Sequence, residues 1–134
     1  GMTRKEITVL GGRPGHGKTT LMINAVRTLI ERGNRIVLFN REMSNVEMMK
    51  KIIVMESASL KYHDLRLKKE ERNGLTSTIK VTAESIKNKY KNLTMYDDIR
   101  TLSESIREVN KLKPDVVFDD YIQLLFSVLI ESAQ

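Results

Sequence analysis

The sequence predicts an α/β fold, a three-layer sandwich around a mostly parallel sheet. Three observations carry that reading. Short apolar runs recur at Ile7–Leu10, Ile36–Phe39, Leu93–Tyr96 and Val116–Phe118. Stretches of helical period separate them. A turn dense in glycine and proline, "GGRPGHG" at residues 11–17, joins the first run to the first helix. Alternating strands and helices imply crossovers, and therefore a parallel sheet covered on both sides. Ligands in such sheets gather at the carboxyl ends of the strands, where the glycine turn falls.

Each element follows in order. Ile7, Val9 and Leu10 form a short apolar run expected to be a buried strand. From Thr19 onward Met22, Val26, Leu29 and Ile30 share one helical face, and Gly33 supplies the cap. Ile36 to Phe39 is continuously apolar, as in a strand covered on both faces. Ser44 and Glu47 stand at capping-box spacing before Met48, Met49, Ile52 and Ile53. Residues 61–91 are charged and weakly periodic, expected as helix with a break near Asn73-Gly74 and a new start near Thr82. Leu93 to Tyr96 is a third strand. Thr101 and Glu104 repeat the capping box, and Leu102, Ile106 and Val109 are the expected buried face of the helix that follows. Lys113-Pro114 ends that helix. Val116 to Phe118 is a fourth strand, closed by Asp119 and Asp120.

The composition bounds the function. At 134 residues, 40% hydrophobic and 30% charged, the chain reads as one globular domain. Its net charge of +6 permits polyanion binding without requiring it. The absence of cysteine excludes disulfides and thiolate metal sites. No apolar run approaches the roughly 18 residues of a membrane helix, and no signal peptide is visible. The expected compartment is the cytoplasm, that of an infected host included. Gly1 before Met2 reads as a tag-removal scar, and residues 1–4 as an N-terminal tail.

Residues 12–19 read G-R-P-G-H-G-K-T and satisfy G-x-x-x-x-G-K-[ST], the phosphate-binding loop, between a strand and a helix as the motif requires. A triphosphate needs several backbone N–H groups aimed inward at once, and a helix N-terminus adds more. Gly12, Gly15 and Gly17 allow that close approach. The nucleotide-binding segment is Gly12, Arg13, Pro14, Gly15, His16, Gly17, Lys18, Thr19 and Thr20. Lys18 would place charge on the β- and γ-phosphates, and the Thr19 hydroxyl would ligate Mg²⁺. His16 sits at the loop tip and has no role of its own.

Two further stretches matter. "VVFDD" is an apolar strand ending in acid, the Walker B pattern, in which a carboxylate holds Mg²⁺. Local chemistry leaves Asp119 and Asp120 both open, because adjacent strand residues face opposite ways. "LFNREM" puts Glu42 just past the second strand, where a carboxylate could orient an attacking water. A solvated charge favouring a helix N-terminus is the competing reading. The guanine-reading Asn-Lys-x-Asp of GTPases is missing.

"GRPGHGKTT", "FNREMS" and "DDYIQLL", in this order, resemble the RecA-like ATPase core of DnaB-type replicative helicases over roughly residues 5–125. "NLTMYDD" is similar to that family's third strand. The resemblance implies an ATP and Mg²⁺ site at Gly12, Gly17, Lys18 and Thr19. It implies Glu42 as the catalytic carboxylate, working with Lys18, and Asp120 as the Walker B metal ligand. Gln123 fits the pattern with its role open. Other RecA-like ATPases, recombinases and the clock-protein type among them, share much of the pattern.

The sequence also departs from the family. None of these residues reads as that family's N-terminal domain or linker helix, and "FSVLIESAQ", residues 126–134, reads as an atypical tail. The expected domain is thus a single, partial RecA-like unit cut short after the Walker B strand. In RecA-like cores the next strand lies between the Walker B strand and the phosphate-loop strand. Here it would have to come from residues 121–134, too close in sequence for a parallel crossover of a dozen residues or more.

The expected function is a Mg²⁺-dependent, ATP-hydrolysing motor module. The alternatives are a nucleotide-binding or assembly module with little turnover, and a small-molecule kinase, disfavoured for want of an arginine-bearing lid. A homo-oligomer assembling through the tail and open sheet edge is expected. Single-stranded DNA is a candidate partner, although the family's contact loops are not seen. Residues 61–91 carry nine Lys/Arg against four acids, and read as a solvated surface because only Tyr62 and Tyr90 could stack on bases.

Overall fold

The computed structural model describes residues 4–71 and 74–120. In chain order these form α1 (Lys18–Glu31), β1 (Ile36–Asn40), α2 (Asn45–Glu56), a single 3-10 turn (Lys69–Glu71), α3 (Leu75–Lys89), β2 (Leu93–Tyr96), α4 (Leu102–Leu112) and β3 (Val116–Asp120). The sheet order is β2-β1-β3, all parallel, with Ile36 beside both Leu93 and Val116. Every residue of β1 is buried, the apolar run Ile36–Phe39 and the polar Asn40 alike.

Period-two alternation divides the two sides of the sheet. Ile36 and Leu38 face the main core with Met22 and Val26 of α1, Met48 and Ile52 of α2, and Ile86 of α3. Where these helices meet, Lys89 reaches both Glu31 and Glu56 at 2.8 Å, and the Tyr90 hydroxyl donates to Glu56 at 2.7 Å. On the other side Phe39 stacks on Tyr96 with ring centroids 5.6 Å apart. The Tyr96 hydroxyl donates to Glu108 of α4 at 2.8 Å. Helices therefore cover both faces, the predicted three-layer arrangement.

The caps form as their spacing predicts. The Ser44 Oγ accepts from the Glu47 N–H at 3.2 Å, and the Thr101 Oγ1 from the Glu104 N–H at 3.3 Å. The helix after Asn73-Gly74 runs unbroken from Leu75, so no new start occurs at Thr82. About two helical turns separate Gly74 from Thr82, and nothing in "TSTIKV" interrupts the backbone ladder. β3 extends through both Asp119 and Asp120.

Two further expectations fail. Ile7, Val9 and Leu10 are not a strand; they are 93%, 82% and 49% exposed. A strand needs a neighbour for its N–H and C=O groups, and among the described residues none pairs with this segment. Its expected neighbour falls in residues 121–134, outside the described residues, as do Gln123 and the tail. Leu102 and Ile106 are not a buried face either: they are about half exposed, while Ser105 is the buried residue of α4. The helix is held by polar contacts to Arg41 and Tyr96, which rotate Ser105 inward.

Candidate nucleotide site

The glycine loop closes onto the start of α1. Gly17 is the cap, at φ 79°, and no side chain occupies the helix's first N–H groups. A Cβ on Gly12 would stand 3.3 Å from the Lys18 Cγ, so glycine there lets the lysine stem lie along the loop. The Lys18 ammonium donates to the Gly12 carbonyl at 2.6 Å and the Arg13 carbonyl at 3.2 Å. Arg13, Pro14, Gly15 and His16 form the exposed tip, with the His16 N–H donating to the Arg13 carbonyl at 3.2 Å. Thr20 is exposed, and its carbonyl accepts from Asn24 at 2.8 Å.

Sheet register sorts the two aspartates. Asp120 lies beside Asn40, on the α1 side, and Asp119 beside Phe39, on the α4 side. The Thr19 Oγ1 stands 3.5 Å from the Asp120 Oδ2, across 101 residues of sequence. Burial, then the nearby charge of Glu42, pushes the Asp120 carboxyl above the usual range, against the Thr19 hydroxyl and the Lys18 charge. Asp119 is engaged elsewhere. The Arg41 Nε and Nη2 donate to its two oxygens at 2.7 and 2.8 Å.

Glu42 is exposed, one residue beyond that pair. It lines a cavity of about 280 Å³ with Arg41, Met43, Ser44, Asp97 and Arg100. Asp97 accepts from the Asn45 N–H at 2.6 Å, anchoring this connection to the start of α2. The structure thus gathers Lys18, Thr19, Asp120 and Glu42 at the carboxyl end of the sheet.

The donor set suits a hard cation completed by a phosphate ligand. Thr19 and Asp120 offer a hydroxyl and a carboxylate, the few protein oxygens that Mg²⁺ uses beside phosphates and waters. Among the described residues no group of three or more His, Cys, Asp or Glu could form a cage for a metal. Among the described residues, too, no helix is long and apolar enough to cross a membrane.

The sequence leaves Asp119 open as a candidate metal ligand and does not single out Arg41. The available signal is an arginine placed directly after the second predicted strand, in a chain whose fourth ends in two aspartates.

A parallel sheet with a glycine loop at the start of one helix and a strand that ends in acid places the chain in the broad class of phosphate-loop α/β domains. The chain belongs to the DnaB-like helicase C terminal domain family, whose sequence model matches residues 1–133. It is 28% identical to the "Replicative DNA helicase DnaB" of Helicobacter pylori strain ATCC 700392 / 26695, over 93% of this chain and 26% of the relative. The same protein of strain J99 gives the same identity and coverage. It is 27% identical to the "DNA repair protein RadA" of Brucella abortus strain 2308, over 99% of this chain and 23% of that protein. The chain therefore spans about a quarter of the length of these relatives. No solved structure matches it.

Proposed function

We propose that the chain is the nucleotide-handling part of a DNA helicase motor, binding and hydrolysing ATP with Mg²⁺. The observation that carries this reading is the approach of Thr19 to Asp120, which joins the glycine loop to the acid-tipped strand. Bound Mg-ATP would supply the scissile phosphoanhydride and the cation that neutralises it. In this reading Lys18 leaves its two loop carbonyls and places its charge on the β- and γ-phosphates. Thr19 and Asp120 hold the cation. Glu42, exposed at the cavity, orients and accepts a proton from the attacking water. The loop from Gly12 to Thr20 forms the phosphate cradle.

Turnover by this chain alone is proposed to be slow, because an arginine finger contributes about 10³–10⁵ in rate and none can be assigned. Assembly of several copies, and single-stranded DNA as the track, belong to the same proposal. Calorimetric titration with Mg-ADP tests the site: Lys18→Ala should bind more weakly while remaining folded. Equal affinity in both proteins refutes the loop assignment. Hydrolysis measured with and without single-stranded DNA then separates a motor from a module that only binds. Glu42→Gln should lower the rate by roughly 10²–10⁴-fold, the usual worth of a general base, with binding kept.

A further inference from the structure

We infer that Arg41 and Asp119 form a positioning clamp that fixes where Glu42 stands relative to Asp120. The inference rests on the nucleotide-site reading above and assigns a task to the two residues that reading leaves unused. The Arg41 side chain is 1% exposed. Four of its five N–H donors have partners. Nε and Nη2 grip the Asp119 carboxylate at 2.7 and 2.8 Å; Nη2 also donates to the Ser105 Oγ at 3.0 Å, and Nη1 to the Ile99 carbonyl at 2.8 Å. The guanidinium lies over the Phe39 ring, 5.2 Å from its centroid. The Arg41 backbone N–H donates to the Asp120 carbonyl at 2.7 Å. Arg41 thus ties the end of β1 to the end of β3 by three hydrogen bonds, and to α4 and the 97–101 connection by one each.

Stability alone does not account for such a pair, since two apolar residues of similar size usually serve as well as a buried ion pair. Its geometry does more. Glu42 is one peptide bond from Arg41, and Asp120 one from Asp119, so a rigid bidentate fork sets the distance between the following residues. Ile99 is next to Arg100, which lines the same cavity as Glu42, so the fork also holds that wall. Lysine keeps the charge but cannot make the planar fork.

The test uses the full chain with Arg41→Lys and the apolar double variant Arg41→Met/Asp119→Leu, followed by amide exchange, Mg-ADP calorimetry and hydrolysis kinetics. In both variants the amides of residue 41 and Asn45, which donate to the Asp120 carbonyl and the Asp97 carboxylate, should exchange about tenfold faster, while those of Val26 and Leu38 keep their parent rate, the mark of local rather than global opening. The kcat should fall about tenfold, within the roughly 10²-fold that a 1 Å misplacement can cost, with KM and Mg-ADP affinity unchanged. The double variant guards against a folding defect, because it leaves no unpaired buried charge. Parent exchange rates at residue 41 and Asn45 in the double variant would overturn the clamp, as would exchange that quickens equally throughout the core. If the parent binds no Mg-ADP, the nucleotide reading fails, and the exchange pattern still decides the clamp.

Discussion

Two apolar runs flank α1, and their fates differ. Ile36 to Phe39 are each 1% exposed at the centre of the sheet, whereas Ile7 and Val9 are 93% and 82% exposed beside it. Both are short, both contain β-branched residues, and both lead into a functional turn. The difference is partnership. β1 has a strand on each side and a helix layer on each face, so its backbone and its side chains are satisfied together. Residues 7–10 have no ladder partner among the described residues. An apolar run favours a strand, and a neighbouring strand that takes up its backbone N–H and C=O groups is what completes it.

That comparison can be broken most directly at Phe39. Phe39→Ala removes a buried ring that stacks on Tyr96 and underlies Arg41. It should cost about 3–5 kcal/mol in urea-induced unfolding. A loss similar to that of an exposed substitution would mean that β1 is not the centre of the core.

The next largest effect concerns helix starts. Ser44→Ala deletes the cap of α2 and should cost about 1 kcal/mol. The start of α1 has no side-chain cap to lose, so its stability should respond instead to anion: phosphate should raise the melting temperature of the parent more than that of Lys18→Ala.

Asp120 sharpens the comparison through pH. Its carboxyl is raised above the ordinary value by burial and by the charge of Glu42. The folded state then binds that proton more tightly than the unfolded chain, so this group favours folding at acid pH and opposes it once pH exceeds the raised value. In nucleotide-free, Mg²⁺-free buffer, Asp120→Asn should therefore be more stable than the parent at neutral pH, with the gain shrinking as pH falls through the raised value and gone below about pH 4. A variant less stable than the parent at neutral pH would contradict the assigned direction.

The smallest effect belongs to the exposed run. Ile7→Ser should change unfolding free energy by no more than about 0.5 kcal/mol, as for surface positions generally. A larger loss would show that residues 7–10 are packed in solution after all.

Much was legible in the sequence because it depends on neighbours along the chain. The glycine loop, the capping boxes at Ser44 and Thr101, the helix stop at Lys113-Pro114, and the continuous run of β1 are local patterns, fixed by backbone sterics and helical or strand period. The family resemblance rests on the same kind of local string, and the family match covers nearly the whole chain. What remained hidden depends on partners far away in sequence. Leu102, Ile106 and Val109 have a helical apolar period, yet Ser105 faces inward because Arg41, 64 positions earlier, reaches it. The two adjacent aspartates are chemically identical in the sequence. Only strand register sends Asp119 toward Arg41 and Asp120 toward Thr19, since successive side chains of a strand point to opposite faces and the pairing decides which face meets which helix.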